Sequence, residues 1–136
     1  MTDISTSIWP LIAAALAVII IGYVWYHPWI FGTLWMRFNG VTPEMAERGA
    51  RRAHMYEAIG FLTSVVVAYV MRTLLVGLGV SDPSNAAKLG FLVWLGCAAP
   101  VLLGSVLWEH RPFKLYLINA GYWLVALTAM SVILVV

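Results

Sequence analysis

Charge is what this sequence has least of. Asp, Glu, Lys and Arg make up 10% of its 136 residues, against roughly 25% in soluble domains. From residue 4 to residue 36 there is not one of them. That stretch is longer than the roughly 20 apolar residues that cross a bilayer as a helix. With 62% of the chain hydrophobic, water is excluded as the solvent for most of its surface. Cysteine is almost missing too. Cys97 stands alone inside an apolar run, which rules out a disulfide framework, a CxxC redox pair and a thiolate metal cluster. It reads as a small buried hydrophobe.

Other absences narrow the function. HxxxH, HExxH and CxxCH spacings do not occur, so spacing gives no metal or haem signature. No Ser or Cys sits in a nucleophile elbow or beside a base, and no catalytic residue is assigned. A net charge of +2 is too small to argue for nucleic acid as a partner. No basic segment precedes the first apolar run, so residues 1–7 are not expected to be a cleavable signal peptide.

What is present is apolar sequence in helix-sized runs. These fall at about residues 8–26, 58–79, 89–108 and 115–136, with residues 81–85 (SDPSN) reading as the turn between the second and third. The expectation is an all-α integral membrane protein: one domain over residues 1–136, folded as a four-transmembrane-helix antiparallel bundle. A short aromatic interfacial segment follows helix 1. Thr42, Pro43 and Glu44 supply a helix start. No breaker follows until Asp82-Pro83, so a helix is expected to run from there straight into the second span.

Orientation follows from Lys and Arg, which accumulate in cytoplasmic loops. Arg37, Arg48, Arg51 and Arg52 lie in the first connection and Arg111 and Lys114 in the third, whereas the second holds only Lys88. Both termini are therefore expected outside, in the plasma membrane of a bacterium. Trp25, Tyr26, Trp29, Trp35, Tyr56, Trp108, Phe113 and Tyr116 then share the cytoplasmic depth and read as an aromatic belt. Pro28 forces His27 out of the α region and ends the first span. Residues 28–38 show aromatic and aliphatic side chains nearly all round a helical wheel. Such a segment should tuck against the bundle as a plug, with lipid on one face and protein on the other.

Ionisable groups at membrane depth cost about 2.5 kcal/mol or more, so each is a candidate for function. Arg72 lies inside the second span, on a stripe with Glu57, Gly60, Ser64 and Ala68. Ala98, Ser105 and Glu109 align on the third span, and Asn119, Tyr122 and Ala126 on the fourth. Glu57, Glu109 and Asn119 are expected near the cytoplasmic interface, as are His27, His54 and His110. They suggest a polar pocket roofed by the plug, with the histidines only weak metal candidates. The bland reading is that the carboxylates pair at headgroup level, Arg72 snorkels, and the histidines are ordinary interfacial side chains. Gly96, Pro100 and Gly104, like Ala13 and Ala17, form small-residue strips suited to close helix contact, within the bundle or with a second copy. Pro100 can equally serve as a kink.

Three stretches stand out, GYVWYHPWIFGTLWM (residues 22–36), VWLGCAA (residues 93–99) and WEHRPFKLYLINAGYWL (residues 108–124). In them the chain resembles the bacterial four-helix membrane proteins grouped as domain of unknown function 1761, and the resemblance covers essentially the whole chain. It singles out Trp25, Tyr26, Pro28, Phe31, Gly32, Trp35, Glu109, Arg111, Pro112, Asn119, Gly121 and Tyr122, and none of the histidines. No activity and no cofactor follow from it.

Three functions are therefore weighed. The first is binding or passage of a small ligand through a cytoplasm-facing pocket in a homo-oligomer. Its candidates are Glu57, Glu109, Asn119, Tyr122, Arg111, Trp25, Tyr26, Trp35 and Arg72. The second is an accessory subunit that docks a larger membrane protein. The third is a metal- or haem-binding protein, or a membrane enzyme acting on lipid or quinone, for which Glu57 and Glu109 would have to meet as acid and base.

Overall fold

A computed structural model describes residues 7–136. Its helices are α1 (Trp9–Trp25), α2 (Thr33–Phe38), α3 (Pro43–Arg51), α4 (Ala53–Gly77), α5 (Pro83–Val93), α6 (Ala99–Leu107) and α7 (Phe113–Val135). Two π-helical turns complete the path, Pro28–Gly32 before α2 and Trp94–Ala98 between α5 and α6. Three continuous segments are long and apolar enough to cross a membrane: Ala53–Gly77, Pro83–Leu107 and Phe113–Val135. A fourth forms if α1 is joined to the segment Pro28–Phe38, which is bent 48° from it.

The α7 helix organises the bundle, with α1 packed on one side and α5–α6 on the other, while α4 lies mainly against α1. Contacts run in opposite chain directions. Trp25 meets Ile118 whereas Val18 meets Tyr122, and Trp94 meets Ala120 whereas Ala99 meets Tyr116. Ser7 lies by Arg72 and Tyr23 by Glu57. The four helical segments therefore alternate in direction. Leu11, Ala14, Val18, Ala68, Met71, Leu75, Ala126, Leu127 and Met130 form the core.

Several local expectations need correction. The third span begins at Pro83, not near residue 89, because residues 81–85 are a helix start. The Asp82 carboxylate caps it by accepting from the Asn85 backbone N–H at 3.0 Å, and Pro83 takes the first position. The cap at Thr42 is present and accepts from the Met45 N–H at 3.2 Å. The helix it starts stops at Arg51, however. Arg52 leaves the α region, and α4 begins afresh at Ala53. The α3 helix itself is exposed along its whole length, so no packing holds it in line with α4.

Small residues are also distributed otherwise than their spacing suggests. On α1 the packed positions are Ala14, Ala15 and Val18, while Ala13 is exposed. Close approach of α5 to α7 occurs at Gly90, where a Cβ would stand 2.8 Å from the Leu127 carbonyl oxygen. Gly96 has no atom within 4 Å of such a Cβ, and Pro100 is exposed. Cys97 is exposed as well, rather than buried. Pro100 does not break its span, since Pro83–Leu107 counts as one helix. Proline lacks an N–H and crowds the carbonyl four residues back, and the wider π turn ending at Ala98 accommodates both.

Candidate functional site

The site begins with how the chain leaves α1. Pro28 holds His27 in extended geometry, with φ −64° and ψ 141°, and the His27 Nδ1 accepts from the Trp29 N–H at 3.2 Å. The Gly32 N–H then reaches back five residues to the His27 carbonyl at 3.0 Å, closing the π turn. This geometry requires glycine. A Cβ on Gly32 would sit 2.2 Å from the Tyr26 carbonyl oxygen. The tight turn folds α2 back towards α7.

The returning segment has one protein face and one free face. Phe31 lies 4.9 Å from Trp25, ring centroid to centroid, and Trp35 meets Tyr26 edge-on at 6.2 Å. Trp29, by contrast, is 92% exposed. Between the segment and the end of α1 is a pocket of about 380 Å³ lined by Tyr26, Gly32, Trp35 and Met36, within the range of small-molecule sites. Its lining is mainly apolar.

The Tyr26 hydroxyl is fixed from behind, donating to the Asn119 Oδ1 at 2.8 Å. Around it, aromatic donors stitch the helices together. The Trp25 Nε1–H donates to the Ile118 carbonyl at 2.9 Å, and the Tyr122 hydroxyl to the Val18 carbonyl at 3.1 Å. The Trp94 Nε1–H and the Tyr116 hydroxyl donate to the Ala120 and Ala99 carbonyls at 2.7 and 3.0 Å. Buried Trp and Tyr need partners for their polar tips, and helix carbonyls carry a second lone pair for them. Of the expected belt, Trp25, Tyr26, Trp35 and Tyr116 thus turn inward, while Trp29, Tyr56, Trp108 and Phe113 remain exposed. Gly121 makes room for this lacing: a Cβ there would meet the Trp25 ring at 3.0 Å.

The remaining candidates separate. Glu57 lies exposed at the start of α4, facing Tyr23 and 3.9 Å from His54. Glu109 is exposed in the α6–α7 connection. No hydrogen bond or ion pair among the described residues joins the two carboxylates. Arg111 is exposed and donates to the Asn39 Oδ1 at 3.3 Å, while Asn39 donates to the Trp35 carbonyl at 2.9 Å. Arg111 therefore ties down the far end of the pocket roof rather than lining the pocket. Sequence reasoning missed Asn39, although an Asn-Gly pair closing a helix is a recognisable C-terminal signal. His27, His54 and His110 do not gather: among the described residues no group of three His, Cys, Asp or Glu side chains is placed to hold a metal ion. Arg72 lies at the opposite end of the bundle, buried beside Ser7.

The geometry brings together Trp25, Tyr26, Trp35, Asn119 and Tyr122, and leaves out Glu57, Glu109 and Arg72. Comparison with curated proteins and with solved structures finds no match to the chain. The family model described as "Protein of unknown function (DUF1761)" matches residues 9–135, which contain every residue of the pocket and of its lacing, and the chain belongs to that family.

Proposed function

We propose that this protein is a multi-pass protein of the bacterial plasma membrane that binds a small, largely apolar ligand in the pocket between the end of α1 and the returning α2 segment. The observation that carries the reading is the pocket itself. It has about 380 Å³ of space and mainly apolar walls, and Tyr26 in its lining is held by a hydrogen bond to Asn119. Such a lining suits a molecule with a ring or short chain and a single polar group. No carboxylate or metal cluster lines it, which favours binding or passage over catalysis. Arg37, Arg48, Arg51, Arg52, Arg111 and Lys114 all belong to the pocket end of the bundle. Their position supports a cytoplasmic placement of that end, with both termini outside.

The ligand should copurify. Mass spectrometry of organic extracts should find a small molecule with wild-type protein in gentle detergent, and find it depleted in Met36→Trp, which fills the pocket. Identical extracts from the two proteins would end this reading. Copies are proposed to pair through the outward strip of Gly96 and Pro100, where nothing in the single chain occupies the space beside Gly96. Gly96→Leu should then shift the oligomer equilibrium measured by cross-linking in membranes.

A further inference from the structure

The nine residues of α3 are all exposed, and the bundle covers neither side of the helix. Yet the helix is well made. The Thr42 hydroxyl accepts from the Met45 N–H at 3.2 Å, Pro43 takes the first position, and Arg51 donates to Glu47 one turn back at 3.2 Å. A helix this short is marginal in water when nothing packs on it. Its residues also sort sharply around the axis. At about 100° per residue, Glu44, Glu47, Arg48 and Arg51 fall on one half and Met45, Ala46, Gly49 and Ala50 on the other.

Both ends of α3 are tied to elements of the bundle. The α2 segment hands over to it through Gly40, whose φ of 65° turns the chain. At the other end Arg52 leaves the α region and α4 starts at Ala53, a helix long and apolar enough to cross a membrane. The first turns of α4 hold Met55, Tyr56, Ile59 and Leu62 outward, each more than half exposed. The break at Arg52 frees α3 from the line of α4, as a helix must be if it lies along a surface that its neighbour crosses.

Charge and size select the surface. Arg37, Arg48, Arg51 and Arg52 belong to this connection, against Glu44 and Glu47, and among the described residues only Arg51 of the four is paired with a carboxylate. Arg48, three positions after Met45, borders the apolar half, where its stem can lie along acyl chains while its guanidinium meets phosphate oxygens. That half carries no aromatic or branched side chain to anchor a protein partner. Its shallow relief suits a helix that enters only the headgroup boundary.

We propose, resting on the membrane reading given above, that α3 is an interfacial helix: Met45, Ala46, Gly49 and Ala50 lie in the headgroup layer beside α4, and Arg48 and Arg52 engage anionic lipid phosphates there. The pocket roof, α2, is then moored to the membrane surface through the helix that follows it.

The experiment uses the full chain with Cys97→Ser, in nanodiscs of phosphatidylcholine and phosphatidylglycerol, carrying single cysteines labelled with an environment-sensitive fluorophore. The positions are Met45→Cys and Ala46→Cys on one half of α3, Glu47→Cys and Arg51→Cys on the other, and Leu62→Cys on the exposed side of α4. Lipids bearing a quencher should quench the first pair and Leu62→Cys several-fold more than the second pair, and iodide in the water should do the reverse. Arg48→Gln with Arg52→Gln should move the first pair towards water, by about fivefold in the docking equilibrium for each arginine, and leave Leu62→Cys unchanged. Failure of lipid to quench Leu62→Cys overturns the membrane reading itself. With Leu62→Cys quenched, equal behaviour of the two halves of α3 means a helix free in water and overturns the proposal. So does a first pair shielded from iodide but not quenched by lipid, because protein would then cover it. Unchanged quenching of the first pair in the double glutamine variant overturns the role given to anionic lipid.

Discussion

The Tyr26 hydroxyl and the Asn119 amide oxygen meet at 2.8 Å, joining residues 93 positions apart beside the pocket. Hydrogen bonds between membrane helices contribute about 0.6 kcal/mol on average and rarely above about 1.7. A double-mutant cycle of Tyr26→Phe and Asn119→Leu should return a coupling energy in that range by reversible unfolding in mixed micelles. A value of zero would mean that the two side chains do not meet in the folded protein.

Gly32→Ala should be among the most damaging single-methyl changes in the chain. The added carbon would stand 2.2 Å from the Tyr26 carbonyl oxygen, so the π turn has to open. A loss of about 3 kcal/mol or more is expected, the scale of forced overpacking against backbone. Tryptophan fluorescence should shift at the same time, because Trp35 leaves Tyr26.

Two glycines on one span should answer oppositely. A Cβ at Gly90 meets the Leu127 carbonyl oxygen and the Ser131 hydroxyl at 2.8 Å, so Gly90→Ala should separate α5 from α7 and cost about 2 kcal/mol. A Cβ at Gly96 meets nothing within 4 Å. In the single chain Gly96→Ala should be neutral, or stabilising by about 0.5 kcal/mol. Unfolding midpoints in detergent compare the two directly.

His110 carries a backbone φ of 57°, in the left-handed region where a side chain is strained by about 1–2 kcal/mol. His110→Gly relieves that strain and gives back part of the gain as chain entropy. The variant should be more stable by about 0.5 kcal/mol. A drop in the midpoint would mean that the imidazole has a partner.

Asp82 caps α5, and the Asn85 N–H groups hold its carboxyl below its usual range. A lowered value in the folded state means that the folded state binds a proton less readily than the unfolded chain. The stabilisation is therefore present above the unfolded value, near pH 4, and fades as pH falls through the lower folded value. Asp82→Ala should lower the unfolding midpoint at pH 7. Its deficit relative to wild type should shrink in acid, as read by circular dichroism between pH 7 and pH 3.

The long apolar helices, their alternating direction and the break at Pro28 were legible because each rests on local chemistry: apolar runs, a turn with a proline, and proline's effect on the residue before it. Of the pocket candidates, Tyr26 and Trp35 line the pocket, while Trp25, Asn119 and Tyr122 hold the helices together beside it. They come together. Glu57 and Glu109 do not, because a charge near the end of a span reaches solvent more cheaply than it enters a bundle. Arg72 faces protein as its stripe implies, yet at the far end, since position along a span decides depth while periodicity decides only the face. The inward turn of the aromatic rings was beyond periodicity. An indole at the end of a span looks the same in sequence whether its N–H meets headgroups or a carbonyl of the next helix. The stop at Arg52 carried no signal either, being a matter of what fails to pack against α3.

The helix at the centre of the bundle is also the last of them to leave the ribosome. Trp25, Tyr26, Trp94 and the carbonyl of Val18 all wait for partners on α7. The packing of α1 against α4 needs none of them, whereas α5 and α6 find their main partner only on α7. A chain arrested before residue 113 should therefore hold α1 against α4 and leave α5 and α6 unpacked and open to degradation.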